Sequence, residues 1–337
     1  MAKQSQLDRY GAISRAIPEL APSAKVFLVG DSDDTTYGIQ NLAAEYPPDG
    51  DGVVRVYSTI QAAVNAAAAN RGDVVLVAPN HVEDHQRADT WATAGVQIIG
   101  MGNGEQRAGL TYNAAGSTVH LRASGMRVSN LMFLASFDSQ TAGLAALNMD
   151  TGFYGQRVDH CMFTYDGALD DFRTHIRLGA KESVIEDNQL NATDTVGCHR
   201  GIQIVGGDPD HSVIRRNYIY GNFDSIGGAS DSSADGNIAL DTTNAGSTEL
   251  NGLLIHDNIL INVDSEARLI NLGTGVVVRG VAANNILAAP LDTSSADTLN
   301  AVFAGLTAVN NHIVGGDSDI REGIVGTWHT VRVFDSG

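Results

Sequence analysis

The chain has 337 residues, with 21 basic against 39 acidic side chains, a formal net charge of −18 and a pI near 4.7. That balance argues against nucleic acid or an anionic membrane as partner, because both select a basic surface. No apolar run reaches the roughly 18 residues a membrane-spanning helix needs, and the N-terminal stretch lacks the apolar core and cleavage site of a secretion signal.

In chain order, residues 1–52 read as an N-terminal arm with a leading strand. Leu7, Tyr10, Ile13 and Ile17 are its scattered apolar positions before Pro18 and Pro22, and Phe27 lies in the strand KVFLVGD (25–31). These five are the candidate partner-binding residues. Residues 58–71 read as a capping helix: Ser58 with Gln61 forms a capping-box pattern, and Ile60, Ala63, Val64 and Ala67 form an apolar face. Gly72 ends it, and strands DVVLVAP (73–79) and VQIIGMGNG (96–104) follow.

Seven segments then repeat one pattern: RVSNLMF (127–133), RVDHCMF (157–163), VIEDNQL (184–190), VIRRNYI (213–219), LIHDNIL (254–260), GVAANNIL (280–287) and LTAVNNHIV (306–314). Aligned on the central polar residue, they give Asn130, His160, Asn188, Asn217, Asn258, Asn285 and Asn311, at steps of 30, 28, 29, 41, 27 and 26. A fixed period of this size marks a repeat architecture. Each unit holds two short apolar strands around an Asn, a residue that tolerates the left-handed backbone of a sharp bend. A third strand precedes each motif, in TVHLRAS (118–124), ALNMDTG (146–152), HIRLGA (175–180), GIQIVGG (201–207), NIALDTT (237–243) and RLINLGT (268–274). Three short strands per turn predict an all-β, single-stranded parallel β-helix over 53–316, its six asparagines stacked as a structural ladder. Residues 317–337 are expected to cap the far end, with Trp328 over the core.

The order of helix, GDVVLVAP, GVQIIGMGNG and Asn-turn repeats resembles the right-handed parallel β-helix proteins of the pectin-lyase-like superfamily. That resemblance implies catalytic groups on the outer face of one strand stack. Alternation along the third strands places His120, Asn148, His175, Gln203 and Ala239 in one outward row, and Arg122, Asp150, Arg177, Val205 and Asp241 in another. Asp150 and Asp241 are three turns apart, about 14 Å, too far for the paired carboxyls of a glycosidase.

Asp170 and Asp171 are adjacent, as in polygalacturonase-type enzymes, but the companion motifs of those enzymes are missing. DSSADGN (231–237) opens like a calcium loop, yet Thr242 stands where a bidentate Glu is required. Asp210–His211 with His199 and Arg200 is the remaining acid–base set, and reads as solvated loop groups. Cys161 and Cys198, without CxxC or His spacing, read as buried thiols. The few candidate groove aromatics are Phe153, Tyr154, Tyr165, Phe172, Tyr218 and Tyr220. No catalytic residue, metal or cofactor is assigned.

The chain is also similar to bacteriophage-borne members of the superfamily. That resemblance implies a non-enzymatic virion protein decorating the capsid, a homotrimer docked on the major capsid protein through residues 1–52. The competing expectation is a tailspike-like protein that binds or depolymerises polysaccharide.

Overall fold

A computed structural model describes residues 23–31, 55–138, 140–141, 144–193, 198–205, 209–223, 236–241, 249–263, 269–272, 277–288, 299–300, 306–314 and 325–331. Within them the chain winds into an all-β, right-handed parallel β-helix. Each turn contributes one short strand to each of three stacks.

The first stack runs through Val26–Val29, Val74–Val77, Gln97–Gly100, Arg127–Ser129, Arg157–Asp159, Val184–Glu186, Val213–Arg215, Glu249–His256, Val277–Ala283 and Leu306–Val314. The second runs through Val82–His85, Gly109–Tyr112, Met132–Ala135, Met162–Tyr165, Gln189–Asn191, Tyr218–Gly221, Ile259–Asn262 and Ile286–Ala288, which pairs with the second half of Leu306–Val314. The third holds Ala88–Trp91, Thr118–Leu121, Leu147–Met149, Thr174–Leu178, Arg200–Val205, Gly236–Asp241, Ile270–Asn271 and Leu299–Asn300. Pairing is parallel, each strand bonded to its equivalent one turn away. Every second side chain points inward, so Leu110, Phe133, Phe163, Leu190, Ile219, Leu260 and Leu287 form one continuous buried file. Burying each such side chain contributes about 1.5–3 kcal/mol. The Phe133 and Phe163 rings stack at 4.5 Å with an interplanar angle of 6°.

The leading strand is part of this coil. Val26–Val29 pairs with both Val56–Tyr57 and Val74–Val77. Phe27 is only 1% exposed, in the core, with its ring 6.0 Å from Tyr57. Its assignment as a partner contact is therefore corrected: the side chain is consumed by packing. Leu7, Tyr10, Ile13 and Ile17 lie outside the described residues. At the other end Val325–Val331 continues the stack beyond Leu306–Val314, and the Trp328 side chain lies outside the description.

The helix α1 (Ile60–Ala66) is shorter than expected. Its cap is Thr59, whose hydroxyl accepts from Ala62 N at 3.2 Å; Ser58 is exposed and one position too early. Ile60, Ala63 and Val64 are buried over the first turns. Gln61 bonds Thr90 in both directions, tying the helix to the third stack.

The asparagine file stands at the corner between the first and second stacks, one residue away from the bend itself. The left-handed residues are Asn130, His160, Asp187, Arg216, Asp257, Asn284 and Asn310, with φ from 52° to 58°. The next residue in each turn points inward: Leu131, Cys161, Asn188, Asn217, Asn258, Asn285 and Asn311. In each step Asn Nδ2 and the backbone N–H both donate to the Oδ1 of the Asn above, at 2.8–3.1 Å from Asn188 through Asn311. Cys161 N closes the file below, donating to Asn188 Oδ1 at 2.9 Å. Asn130 is thus corrected: it occupies the bend, and its Nδ2 donates to Gly100 O and Gly102 O instead. The alignment on Asn130 and His160 slipped by one because bend and file residues are adjacent and both positions accept Asn.

Candidate functional site

Three polar features stand on this scaffold, and their chemistry differs. The first is an ionic ladder on the outer side of the first stack. Asp159, Glu186 and Arg215 are in register on consecutive turns. Arg127 grips Asp159 with two bonds of 2.7 Å, and Arg157 bridges Asp159 and Glu186. Arg215 and Arg216 both reach Glu186 at 2.6 Å, and Arg216 also reaches Asp187 at 2.7 Å. Asp159 and Glu186 are the closely spaced carboxyl pair that sequence reading missed, yet both are 0% exposed beneath the guanidinium groups. Burial pushes the Asp159 carboxyl upward, but hydrogen bonds from Arg127 and His160 outweigh it and hold it well below the carboxylate range. A pair so occupied is structural.

The second is the outer face of the third stack. His120, Asn148, Arg177, Gln203 and Ala239 are in register. Arg177 takes the place expected for His175, which is buried instead among the rings of Phe163, Phe172 and Phe223. Asp150 is held by His120 Nδ1 at 2.9 Å and Arg122 Nε at 2.6 Å. Burial raises its carboxyl, and these two bonds more than reverse that. The face is largely covered: Asn148 and Gln203 are 2% and 4% exposed. Asp171 is likewise buried, and Asp210 accepts from Asn251 N.

The third is a cleft at the N-terminal end of the coil, and it is the candidate site. Val82–His85 and Ala88–Trp91 are the lowest strands of the second and third stacks, whereas the first stack continues further down. Glu83 and His85 occupy the inward rows that hold Leu110 and Tyr112 one turn later. At the open end those rows face space instead of another turn, so polar groups are tolerated there. The resulting cavity of about 510 Å³ is lined by Asp31, Thr59, Gln61, His81, Glu83, Asp84, His85, Arg87 and Asp89 among others. Ligand pockets commonly fall in this size range.

Internal bonds aim these groups. Glu83 Oε1 accepts from Ile60 N at 2.6 Å, at the start of α1, and lies 3.1 Å from His81 Nε2. His85 lies 3.1 Å from Thr118 O and 3.5 Å from Asp89. Asp84 accepts from Asn113 Nδ2 at 3.0 Å, and Asp89 from Arg87 Nε at 3.1 Å. Four carboxylates face a single guanidinium, so the lining offers many acceptors and a negative field. Sequence reading passed over this site, although HVEDHQRAD (81–89) signals it by placing Glu and His where a coil strand needs apolar residues.

No family model and no curated protein matches the sequence. Solved structures do match in fold. The tailspike protein of E. coli bacteriophage HK620, a double mutant in complex with pentasaccharide, superposes with TM-score 0.53 at 14% identity, over 81% of this chain and 49% of that one. The chain therefore spans about half the length of that tailspike. Pectate lyase Pel9A gives TM-score 0.54 at 10% identity over 91% of this chain and 74% of its own. The Agl-KA catalytic domain gives 0.53 at 14% identity over 94% and 58%. These likenesses show the fold alone, a right-handed parallel β-helix.

Proposed function

We propose that this chain is a virion-borne, polysaccharide-binding β-helix of the tailspike kind. Its site is the terminal cleft, and its ligand an uncharged, hydroxyl-rich sugar unit of a cell-surface glycan. The observation that carries this reading is the acceptor-rich cavity built from Glu83, Asp84, His85 and Asp89 at the open end of the coil. Sugar hydroxyls are donors that suit carboxylate and imidazole acceptors, whereas a polyanionic glycan would meet a like-signed field. The neighbours in fold support a tailspike-like role over the capsid-decoration role expected from sequence.

The test is calorimetric titration with neutral oligosaccharide repeats of host surface glycans. Asp84→Asn with Asp89→Asn is expected to weaken binding about 10- to 100-fold, the range for lost charged hydrogen bonds of about 1.5–3 kcal/mol. Unchanged affinity in a variant that melts like the wild type would overturn the site. Reducing-end release from the same glycans would convert the reading from binding to cleavage.

Self-association belongs to the same reading. The outward row of the second stack, Met132, Met162, Gln189, Tyr218, Ile259 and Ile286, carries no charge, and Tyr218, Ile259 and Ile286 are 38%, 37% and 40% exposed. Parallel sheets normally have both faces covered. A second copy offers the same axial repeat, and closing three copies about a shared axis would cover the row in each. Light scattering on Ile259→Glu is expected to show monomer where the wild type shows trimer.

A further inference from the structure

We propose that Asp171, His175 and Cys198 form a buried binding site for a thiophilic divalent metal of the zinc class, clamping two consecutive turns of the coil. One donor atom from each residue lies within 4.8 Å of the other two. All three are buried, at 3%, 0% and 0% exposure. Asp171 and His175 belong to one turn and Cys198 to the next, since Thr174 is in register with Arg200.

The independent sign is unmet bonding capacity. Neither ring nitrogen of His175, nor Asp171 Oδ1, has a hydrogen-bond partner. Leaving a buried polar group unmet costs about 1–3 kcal/mol, and native interiors rarely leave such groups so. His175 Nε2 and Asp171 Oδ1 stand 3.7 Å apart, too far for a hydrogen bond. That gap suits two ligands of one tetrahedral ion, whose bonds of about 2.0–2.2 Å place nitrogen and oxygen donors about 3.3–3.6 Å apart. The other Asp171 oxygen is fixed by Thr193 N at 2.8 Å, which orients the carboxylate.

The donor set selects the metal. Thiolate, imidazole and carboxylate together suit zinc, whereas calcium and magnesium take oxygen ligands. Two anionic donors also neutralise a divalent cation, so the loaded cluster has no net charge to bury. The Cys198 thiol now lies 3.2 Å from Arg173 O and 3.0 Å from Arg200 O. On loading it loses its proton and turns from these carbonyls toward the imidazole. Three protein donors leave the fourth position to water.

The experiment is cobalt(II) and zinc(II) titration of the full chain after dialysis against a chelator. One equivalent of cobalt is expected to give thiolate-to-metal charge-transfer absorption and the visible bands of a tetrahedral ion, displaced by zinc. Zinc is expected to raise the melting temperature of the wild type and of Cys161→Ser, but not of Cys198→Ser. A wild-type spectrum without charge transfer, or one that Cys198→Ser leaves unchanged, overturns the site. Should Cys198→Ser fail to fold, the spectrum of Cys161→Ser decides, because Cys198 is then the one thiol left to produce that band.

Discussion

Two polar ladders climb the same corner of the coil, two residues apart with the bend residue between them, and they solve the same problem differently. The inner one is neutral: each amide from Asn188 to Asn285 donates to the next in the file, and Asn311 receives from Asn285. The outer one is ionic, with Arg127, Arg157, Arg215 and Arg216 wrapped over Asp159 and Glu186. A neutral file depends on having every bond made and is indifferent to salt and moderate pH. An ionic ladder depends on compensation and responds to both.

The largest effect should come from breaking the inner file. Asn217→Ala strips the partners from Asn188 N and Ile185 O. At about 1–3 kcal/mol for each buried group, a loss of about 2–5 kcal/mol is expected in denaturant unfolding, equal at pH 5 and pH 7. A loss below about 1 kcal/mol would show that water replaces the amide. Glu186→Gln should follow with about 1–3 kcal/mol. It is less than a fully buried pair would cost because Arg157, Arg215 and Arg216 are 43%, 36% and 43% exposed and screened by solvent.

Acid should separate the ladders next. Asp159, Asp150 and Asp187 are held below the ordinary carboxylate range. A carboxyl depressed on folding contributes stability that is fully present above its unfolded pKa of about 3.9 and is lost as pH falls through the folded value. Stability should therefore decline below about pH 4, and Asp159→Asn should flatten that decline. The smallest effect concerns His160, whose ring is raised by its hydrogen bond to Asp159, against the opposing effect of burial. Its contribution is present below about pH 6.5 and fades as pH rises through the folded value. An NMR titration of the ring should report the raised value, and Asp159→Asn should return it toward the ordinary range.

The coil was legible because its signal repeats: apolar strands of RVSNLMF type recur at one turn per period, and errors in one unit are corrected by the others. What happens once was harder to read. The single-residue offset between Arg216 and Asn217 was invisible because several bend residues are themselves Asn or Asp. His175 was misplaced because the residue between the inward Ile176 and Leu178 is Arg177, while His175, two positions earlier, is buried against Phe163, Phe172 and Phe223. The cleft escaped because Glu83 and His85 break the apolar pattern at the coil's end, so that segment did not look like a strand. Phe27 looked like part of an arm because its pairing partners lie 48 residues further on, as in Phe27 with Val75.

Most links of the amide file join residues 26–29 positions apart, yet Asn217 and Asn258 are 41 apart and their bonds are just as short. More than ten extra residues have entered between two rungs without loosening either. Such a column is an evolvable chassis: new recognition loops can be grafted onto any winding while the interior registers no change.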